Sequence, residues 1–131
     1  MSQENAEVVK AVIEAWNSRN MDALRELYDP DVIVRMPEGW PELGPHVGRE
    51  AVMRHWEQQR EALAGGGVME PISIIDASDR VVLRHFWRGV GDGPEVNFEV
   101  TNVFTVRKRK IFYQEFFWDH TEALTILGIE E

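Results

Sequence analysis

The sequence of 131 residues contains no cysteine. This absence excludes disulfides, thiolate nucleophiles and cysteine-based metal sites. No apolar run approaches the roughly 20 residues that a membrane-spanning helix requires, and the polar N-terminal stretch lacks the apolar segment of a signal peptide. We therefore expect a soluble, cytoplasmic protein.

Positive charge is also scarce, with 14 Lys and Arg against 23 Asp and Glu and a formal net charge of −9. Nucleic acids and anionic membranes bind positive surfaces, so neither is expected as a partner. The four histidines show no metal-like spacing such as i, i+4 on one helix. We expect neither a metal nor another cofactor.

Aromatic side chains, by contrast, are abundant for the length, with five Trp and six Phe. Apolar spacing predicts helices at residues 4–18, 21–28, 48–63 and 120–127. Alternation predicts strands at 32–36, 68–75 and 81–88 and two more within 96–119, and the Pro- and Gly-rich residues 37–48 form a loop. The order α-α-β-α-β-β-β-β-α predicts one α+β domain over residues 1–131, with helices covering one face of a mostly antiparallel sheet.

The last two strands, joined at Lys108–Arg109, carry the most informative pattern. In the first strand one face holds Phe98, Val100, Asn102, Phe104 and Val106. Strict alternation places on one face of the second strand Ile111, Tyr113, Glu115, Phe117 and Asp119. Asn102 and Glu115 are therefore expected to project into the same apolar space. A buried polar group without a partner costs roughly 1–3 kcal/mol, so the two side chains either pair with each other or contact a ligand.

Five segments together resemble the SnoaL-like branch of the NTF2-like superfamily. They are EVVKAVIEAWNSRNMDAL (7–24), LYDPDVIVRMPE (27–38), GREAVMRHW (48–56), IDASDRVVLR (75–84) and VFTVRKRKIFYQEFFWDHTEALTILG (103–128). The resemblance implies a cone in which a strongly curved sheet wraps the N-terminal helices and leaves a pocket open at one end. It also implies a homodimer through the outer face of the sheet. The superfamily includes isomerases, cyclases, dehydratases and proteins without known activity, so the fold leaves the function open.

The resemblance also indicates candidate catalytic residues. Asp119 resembles the aspartate that acts as acid and base in the polyketide cyclases of this branch, with His85 as its helper. Glu115 is a second candidate base. In ketosteroid-isomerase-like members a tyrosine and an aspartate stand where this chain has Val12 and Met36, so that apparatus is incomplete here.

Each of these residues also has a structural interpretation. The pattern Asp119-x-x-Glu122 resembles a capping box that would begin the last helix. His85 on an apolar strand face is more often a core histidine, and Glu115 could pair with Arg35 or with Asn102. The sequence leaves these alternatives open.

The predicted pocket wall combines one amide with aromatic and apolar side chains. Its expected ligand-binding residues are Asn102, Trp16, Tyr28, Met36, Trp40, Trp56, Trp87, Phe104 and Phe117. The leading hypothesis is a protein that binds a small, largely apolar organic molecule, with proton-transfer chemistry of the isomerase, cyclase or dehydratase kind as its extension. The alternative is a non-catalytic dimeric module whose pocket is filled.

Overall fold

The computed structural model describes residues 2–40, 44–62, 67–88 and 97–129. These contain the helices α1 (Ser2–Asn17), α2 (Met21–Glu26), α3 (Arg49–Ala62) and α4 (His120–Leu127). The strands are β1 (Tyr28–Arg35), β2 (His46–Val47), β3 (Val68–Ala77), β4 (Arg80–Arg88), β5 (Asn97–Arg107) and β6 (Lys110–Phe117). The predicted order is confirmed, with the short β2 inside the expected loop as an addition.

The six strands form one curved sheet in the order β2-β1-β6-β5-β4-β3. Neighbouring strands are antiparallel except for β1 and β6, which run parallel. Helices α1 and α3 lie against the inner face, where α1 contacts β3 and α3 contacts β1. The predicted α+β class with two layers is confirmed.

Two hydrophobic clusters lie on opposite faces of the sheet. The larger cluster fills the space between the inner face and α1, α2 and α3, and it contains Val9, Leu24, Val34, Leu83 and Ile111. The smaller cluster lies under α4 on the outer face and consists of Val82, Val103, Ala123 and Leu124. Fully burying one such aliphatic side chain is worth roughly 1.5–3 kcal/mol, so both faces contribute to stability.

The first part of the chain differs from prediction at Tyr28. This residue was expected at the end of α2, but α2 ends at Glu26 and Tyr28 begins β1. The backbone N–H of Ile111 donates to the carbonyl of Leu27 at 2.8 Å, so pairing with β6 starts before the chain reaches Pro30. The predicted cap of α2 is confirmed, because the Asn20 side chain accepts from the N–H of Ala23.

A β-bulge in β6 overturns part of the predicted register. Val106 pairs with Ile111 and Thr105 pairs with Tyr113, which leaves one extra residue on β6. Because side chains alternate, every side chain of β6 after the extra residue points to the face opposite to the predicted one. The prediction that Glu115 and Phe117 share a face with Asn102 is therefore wrong.

Within the described ranges, no helix combines the length and the apolar character needed to cross a membrane.

Candidate functional site

A cavity opens at one end of the inner face, between the sheet and helices α1, α2 and α3. Its volume is about 40 Å³, and the empty space reaches about 550 Å³ when the open mouth is counted. The inner volume can hold a few water molecules. The lining residues are Val12, Trp16, Leu24, Tyr28, Met36, Pro37, Trp40, Trp56, Gln59, Met69, Trp87, Phe98, Val100, Gln114, Phe116 and Trp118.

All five tryptophans of the chain line this cavity. Trp16 is central to the inner part, with its ring centroid 6.2 Å from that of Trp56 and 5.2 Å from that of Trp87. The indole N–H of Trp16 donates to the carbonyl of Gly67 at 3.1 Å, which fixes the ring. The three side chains form a largely apolar inner wall.

A second aromatic group surrounds the mouth. Trp40, Phe98 and Trp118 have ring centroids 5.6 to 6.2 Å apart. Trp118 is 45% exposed, and its indole N–H donates to the carbonyl of Glu38 at 2.8 Å. All three rings line the cavity.

Four buried polar side chains from four strands form one hydrogen-bonded chain at the base of the cavity. The Tyr28 hydroxyl donates to Oε1 of Gln114 at 2.7 Å, and Nε2 of Gln114 donates to Oδ1 of Asn102 at 2.8 Å. Nδ2 of Asn102 lies 2.9 Å from Nε2 of His85, and Nδ1 of His85 lies 3.1 Å from the carbonyl oxygen of Phe86. We call Tyr28, Gln114, Asn102 and His85 the polar relay.

Burial keeps the polar relay electrically neutral. No member is more than 3% exposed. Burial lowers the pKa of His85 from 6.5 to about 4, and the hydrogen bond to the Phe86 carbonyl opposes this shift only in part. Burial also raises the pKa of Tyr28, with a smaller opposing effect from the Trp56 indole. At neutral pH the relay therefore contains an uncharged imidazole and an uncharged phenol.

Two indole N–H groups in the inner wall have no hydrogen-bond partner. They are Nε1 of Trp56 and Nε1 of Trp87, in side chains that are 5% and 9% exposed. A buried donor without a partner costs about 1–3 kcal/mol. The inner wall thus offers donors that an acceptor on a bound molecule could satisfy.

The three predicted catalytic residues do not come together. Asp119 is exposed and caps α4, accepting from the N–H of Glu122 at 3.1 Å, as the capping interpretation predicted. Glu115 lies on the outer face and accepts from the hydroxyl of Tyr113 at 3.0 Å. Arg35 lies opposite Glu115 in the register of β1 and β6. Only His85 lies on the inner face, behind the cavity wall.

The predicted ligand-binding residues divide into three groups. Those that line the cavity are Trp16, Tyr28, Met36, Trp40, Trp56 and Trp87. Asn102 is fully buried behind the wall, and Phe104 lies in the main core. Phe117 packs against the cluster under α4 because of the bulge in β6. Contact of any of these residues with a ligand stays a prediction.

Gln114 is the functional candidate that sequence reasoning missed. It takes the inward position that was assigned to Glu115. Residues Ile111–Phe117 are compatible with either register, since each register places aromatic side chains inside. The usable signal is chemical, because burying an amide costs far less than burying a carboxylate.

Among the residues that the structure describes, none of the side chains that line the cavity is acidic, basic or a histidine. The described part of the chain also contains no group of three His, Asp or Glu residues placed to hold a metal ion. The described wall of the cavity is therefore uncharged and largely apolar.

Residues 9–114 match the SnoaL-like domain. Because this match spans most of the chain, the protein belongs to the SnoaL-like family. The resemblance in the sequence is thereby confirmed. No curated protein matches the chain.

Solved structures with the same fold include several NTF2-like proteins. A candidate polyketide cyclase from Sinorhizobium meliloti is 26% identical, with 88% of this chain and 98% of that chain covered and a TM-score of 0.71. TerC, crystallised with polyporic acid, is 20% identical over 95% and 98% of the two chains, with a TM-score of 0.76. A Catenulispora acidiphila protein with a ketosteroid isomerase-like fold, in complex with trimethylamine, is 19% identical over 95% and 94%, with a TM-score of 0.71.

Proposed function

We propose that this protein binds a small, largely apolar organic molecule in the cavity of the cone. The observation that carries the proposal is the concentration of all five tryptophans around one cavity. Ligand pockets are commonly lined by aromatic side chains with a few polar groups among them. The small organic molecules found with two neighbours of the same fold support this function.

The proposal is limited to binding because the described cavity wall contains no acid or base. Proton transfer requires such a group within hydrogen-bond reach of the substrate. Asp119 follows Trp118, which lines the cavity, and its role in proton transfer stays a prediction. Loss of turnover in Asp119→Asn, with turnover kept in Glu115→Gln, would support that role.

A second candidate function follows from the small inner volume of about 40 Å³. A cavity of this size holds a few water molecules, whereas an organic molecule would need the side chains around it to move apart. If they do not move, the protein is a non-catalytic module with a filled cone.

Binding of small aromatic compounds to the whole protein separates the two candidates. The five indole N–H signals in NMR spectra report on the cavity directly, since each tryptophan lines it. We expect these signals to shift with saturable dependence on ligand concentration. Val12→Phe, which adds a ring to the cavity wall, should abolish the shifts, and Ile72→Phe, at a 43% exposed position, should not. Absence of shifts with every compound would favour the filled module.

We also propose a homodimer through the outer face of the sheet, as the family resemblance implies. Half-buried Phe86 and Tyr113 lie on this face between charged side chains, a mixture that suits a partly polar interface. Sedimentation analysis should give twice the chain mass of 15.1 kDa. A single species at the chain mass would contradict the dimer.

A further inference from the structure

The heavy-atom positions of the polar relay are compatible with two opposite assignments of hydrogen-bond donors and acceptors. Turning both side-chain amides by half a rotation exchanges donors and acceptors along the whole relay. In one direction the Tyr28 hydroxyl donates into the relay, and in the other it receives a hydrogen bond from Gln114. The direction decides what Tyr28 offers to the cavity that it lines.

The carbonyl of Phe86 excludes one of the two directions. A carbonyl oxygen can only accept, so Nδ1 of His85, 3.1 Å away, must carry a proton. In a neutral imidazole the other nitrogen then has a lone pair, and Nε2 must accept from Nδ2 of Asn102 at 2.9 Å. The lowered pKa of His85, caused by burial, keeps the ring in this neutral form.

The direction set at His85 continues through both amides. With Nδ2 of Asn102 committed to His85, its Oδ1 faces Gln114 and accepts from Nε2 at 2.8 Å. The Oε1 of Gln114 then accepts from the hydroxyl of Tyr28 at 2.7 Å. The only proton of that hydroxyl is therefore used within the protein.

What remains at Tyr28 is a hydroxyl oxygen that can accept a hydrogen bond. The indole of Trp56 interacts with this hydroxyl, yet its Nε1 has no partner in hydrogen-bond geometry. Both residues line the cavity and are at least 95% buried. The base of the cavity thus places the acceptor oxygen of Tyr28 beside an indole N–H that makes no hydrogen bond of good geometry.

A hydroxyl group satisfies both members of this pair, because it can donate to Tyr28 and accept from Trp56. We propose that the Phe86 carbonyl sets the direction of the polar relay, and that the cavity consequently selects neutral aromatic hydroxyl compounds such as phenols. This proposal rests on the proposed ligand-binding function and names the ligand class of the same cavity. His85 acts here as a positioning residue, since it determines the hydrogen-bonding character of Tyr28 through two amides.

Phenol and anisole are the probes that test the selection. They differ only in the methyl group that replaces the hydroxyl proton, and anisole is the more apolar of the two. Burial alone would therefore favour anisole, whereas we expect phenol to bind roughly threefold to tenfold more tightly, the usual net value of one hydrogen bond. Equal binding, or tighter binding of anisole, would overturn the selection.

Two tyrosine variants provide a matched comparison, because the chain has only these two tyrosines. Tyr28→Phe removes the acceptor and should remove the preference for phenol over anisole. Tyr113→Phe makes the same chemical change on the outer face and should leave the preference as it is. If Tyr28→Phe still prefers phenol over anisole, a group other than the Tyr28 hydroxyl causes the preference.

The ratio of phenol to anisole affinity tests the role of His85, because substitution of a merely structural residue would not change this ratio. A glutamine can either donate or accept, so His85→Gln no longer sets the direction, and the ratio of phenol to anisole affinity should fall towards one. A general loosening of the fold would instead weaken the binding of both phenol and anisole and leave the ratio of their affinities unchanged. An unchanged ratio in this variant would overturn the claim that the Phe86 carbonyl, through His85, sets the direction of the polar relay.

Nitrogen-15 NMR of His85 in the unliganded protein tests the direction without any probe or variant. We expect the proton on Nδ1 and a lone pair on Nε2. The opposite tautomer would overturn the proposal even if ligands bind. Failure of both phenol and anisole to bind, together with the expected tautomer, would instead overturn the proposed function and the selection while leaving the direction of the relay in place.

Discussion

The two faces of the same sheet accommodate polar side chains in opposite ways. On the inner face the polar relay is neutral, and none of its members exceeds 3% exposure. On the outer face Thr101 and His120 form one buried contact, but other polar side chains are charged and partly exposed, as in the pair of Arg84 and Glu99 at 2.7 Å, where the side chains are 35% and 32% exposed. Arg88 and Glu70 form a second pair there.

The difference shows how water access decides which polar groups a strand can carry. A charge is costly away from water, whereas an amide is tolerated once its hydrogen bonds are made. Neighbouring residues of β6 illustrate this, since Gln114 points inward and Glu115 outward. The same rule accounts for the uncharged polar relay at the bottom of the cavity.

The largest effect is expected from removing the centre of the polar relay. Asn102→Leu leaves Nε2 of Gln114 and Nε2 of His85 without their partners. Two buried groups without partners should cost about 2–5 kcal/mol of unfolding free energy, measured by urea denaturation. Asn5→Leu is the matched control, because Asn5 is only half-buried and its hydrogen bond to the carbonyl of Ser78 is exposed. Equal losses in the two variants would contradict the distinction between buried and exposed amides.

His85 should make stability depend on pH over a defined window. Its pKa is about 4 in the folded protein and near 6.5 when unfolded, so between these values the unfolded chain binds the additional proton. Stability contributed by this residue is complete above pH 6.5 and is lost as the pH falls towards 4, by roughly 3 kcal/mol in all.

Urea denaturation at several pH values within that window measures the effect. His85→Gln has no imidazole at this position, so its stability should fall less steeply with acidification than that of the unmodified protein. The comparison of slopes is needed because carboxylates also titrate in this range. Parallel slopes would show that His85 is not held in its neutral form.

The inner faces of β4 and β5 could be predicted because their alternation is unbroken. Val81, Leu83, His85 and Trp87 are all buried on one side, as their spacing indicated. Asp119 as a helix cap was also predictable, since capping depends on residues that are close in sequence. Local patterns were therefore sufficient for the α+β class, whereas the cone and its aromatic pocket wall were predicted from the family resemblance.

The polar relay could not be predicted, because it depends on pairings between strands. The bulge in β6 moves Gln114 rather than Glu115 into the interior, and nothing in the local alternation marks that position. The relay also requires Tyr28 in a strand, where helical spacing had placed it in α2. Contacts of this kind become visible only when the register of four strands is known.

A smaller effect is expected at the mouth, where Asp119 is exposed. Asp119→Ala removes the acceptor for the N–H of Glu122 and should cost about 1 kcal/mol of unfolding free energy. Asp119→Asn should be nearly neutral, since asparagine caps helices equally well. Urea denaturation of both variants measures the difference. A loss in Asp119→Asn as large as in Asp119→Ala would show that the charge matters beyond capping.

The smallest effect should come from the outer face, where water already solvates the charges. Glu99→Gln removes the charge that Arg84 contacts and should change the unfolding free energy by less than about 1 kcal/mol, since exposed ion pairs contribute little. The remaining difference should shrink further at high salt, because mobile ions screen such pairs. Urea denaturation at low and high ionic strength provides the measurement. A loss that approaches that of Asn102→Leu and persists in salt would mean that this pair is desolvated, for example by a second copy of the chain on the outer face.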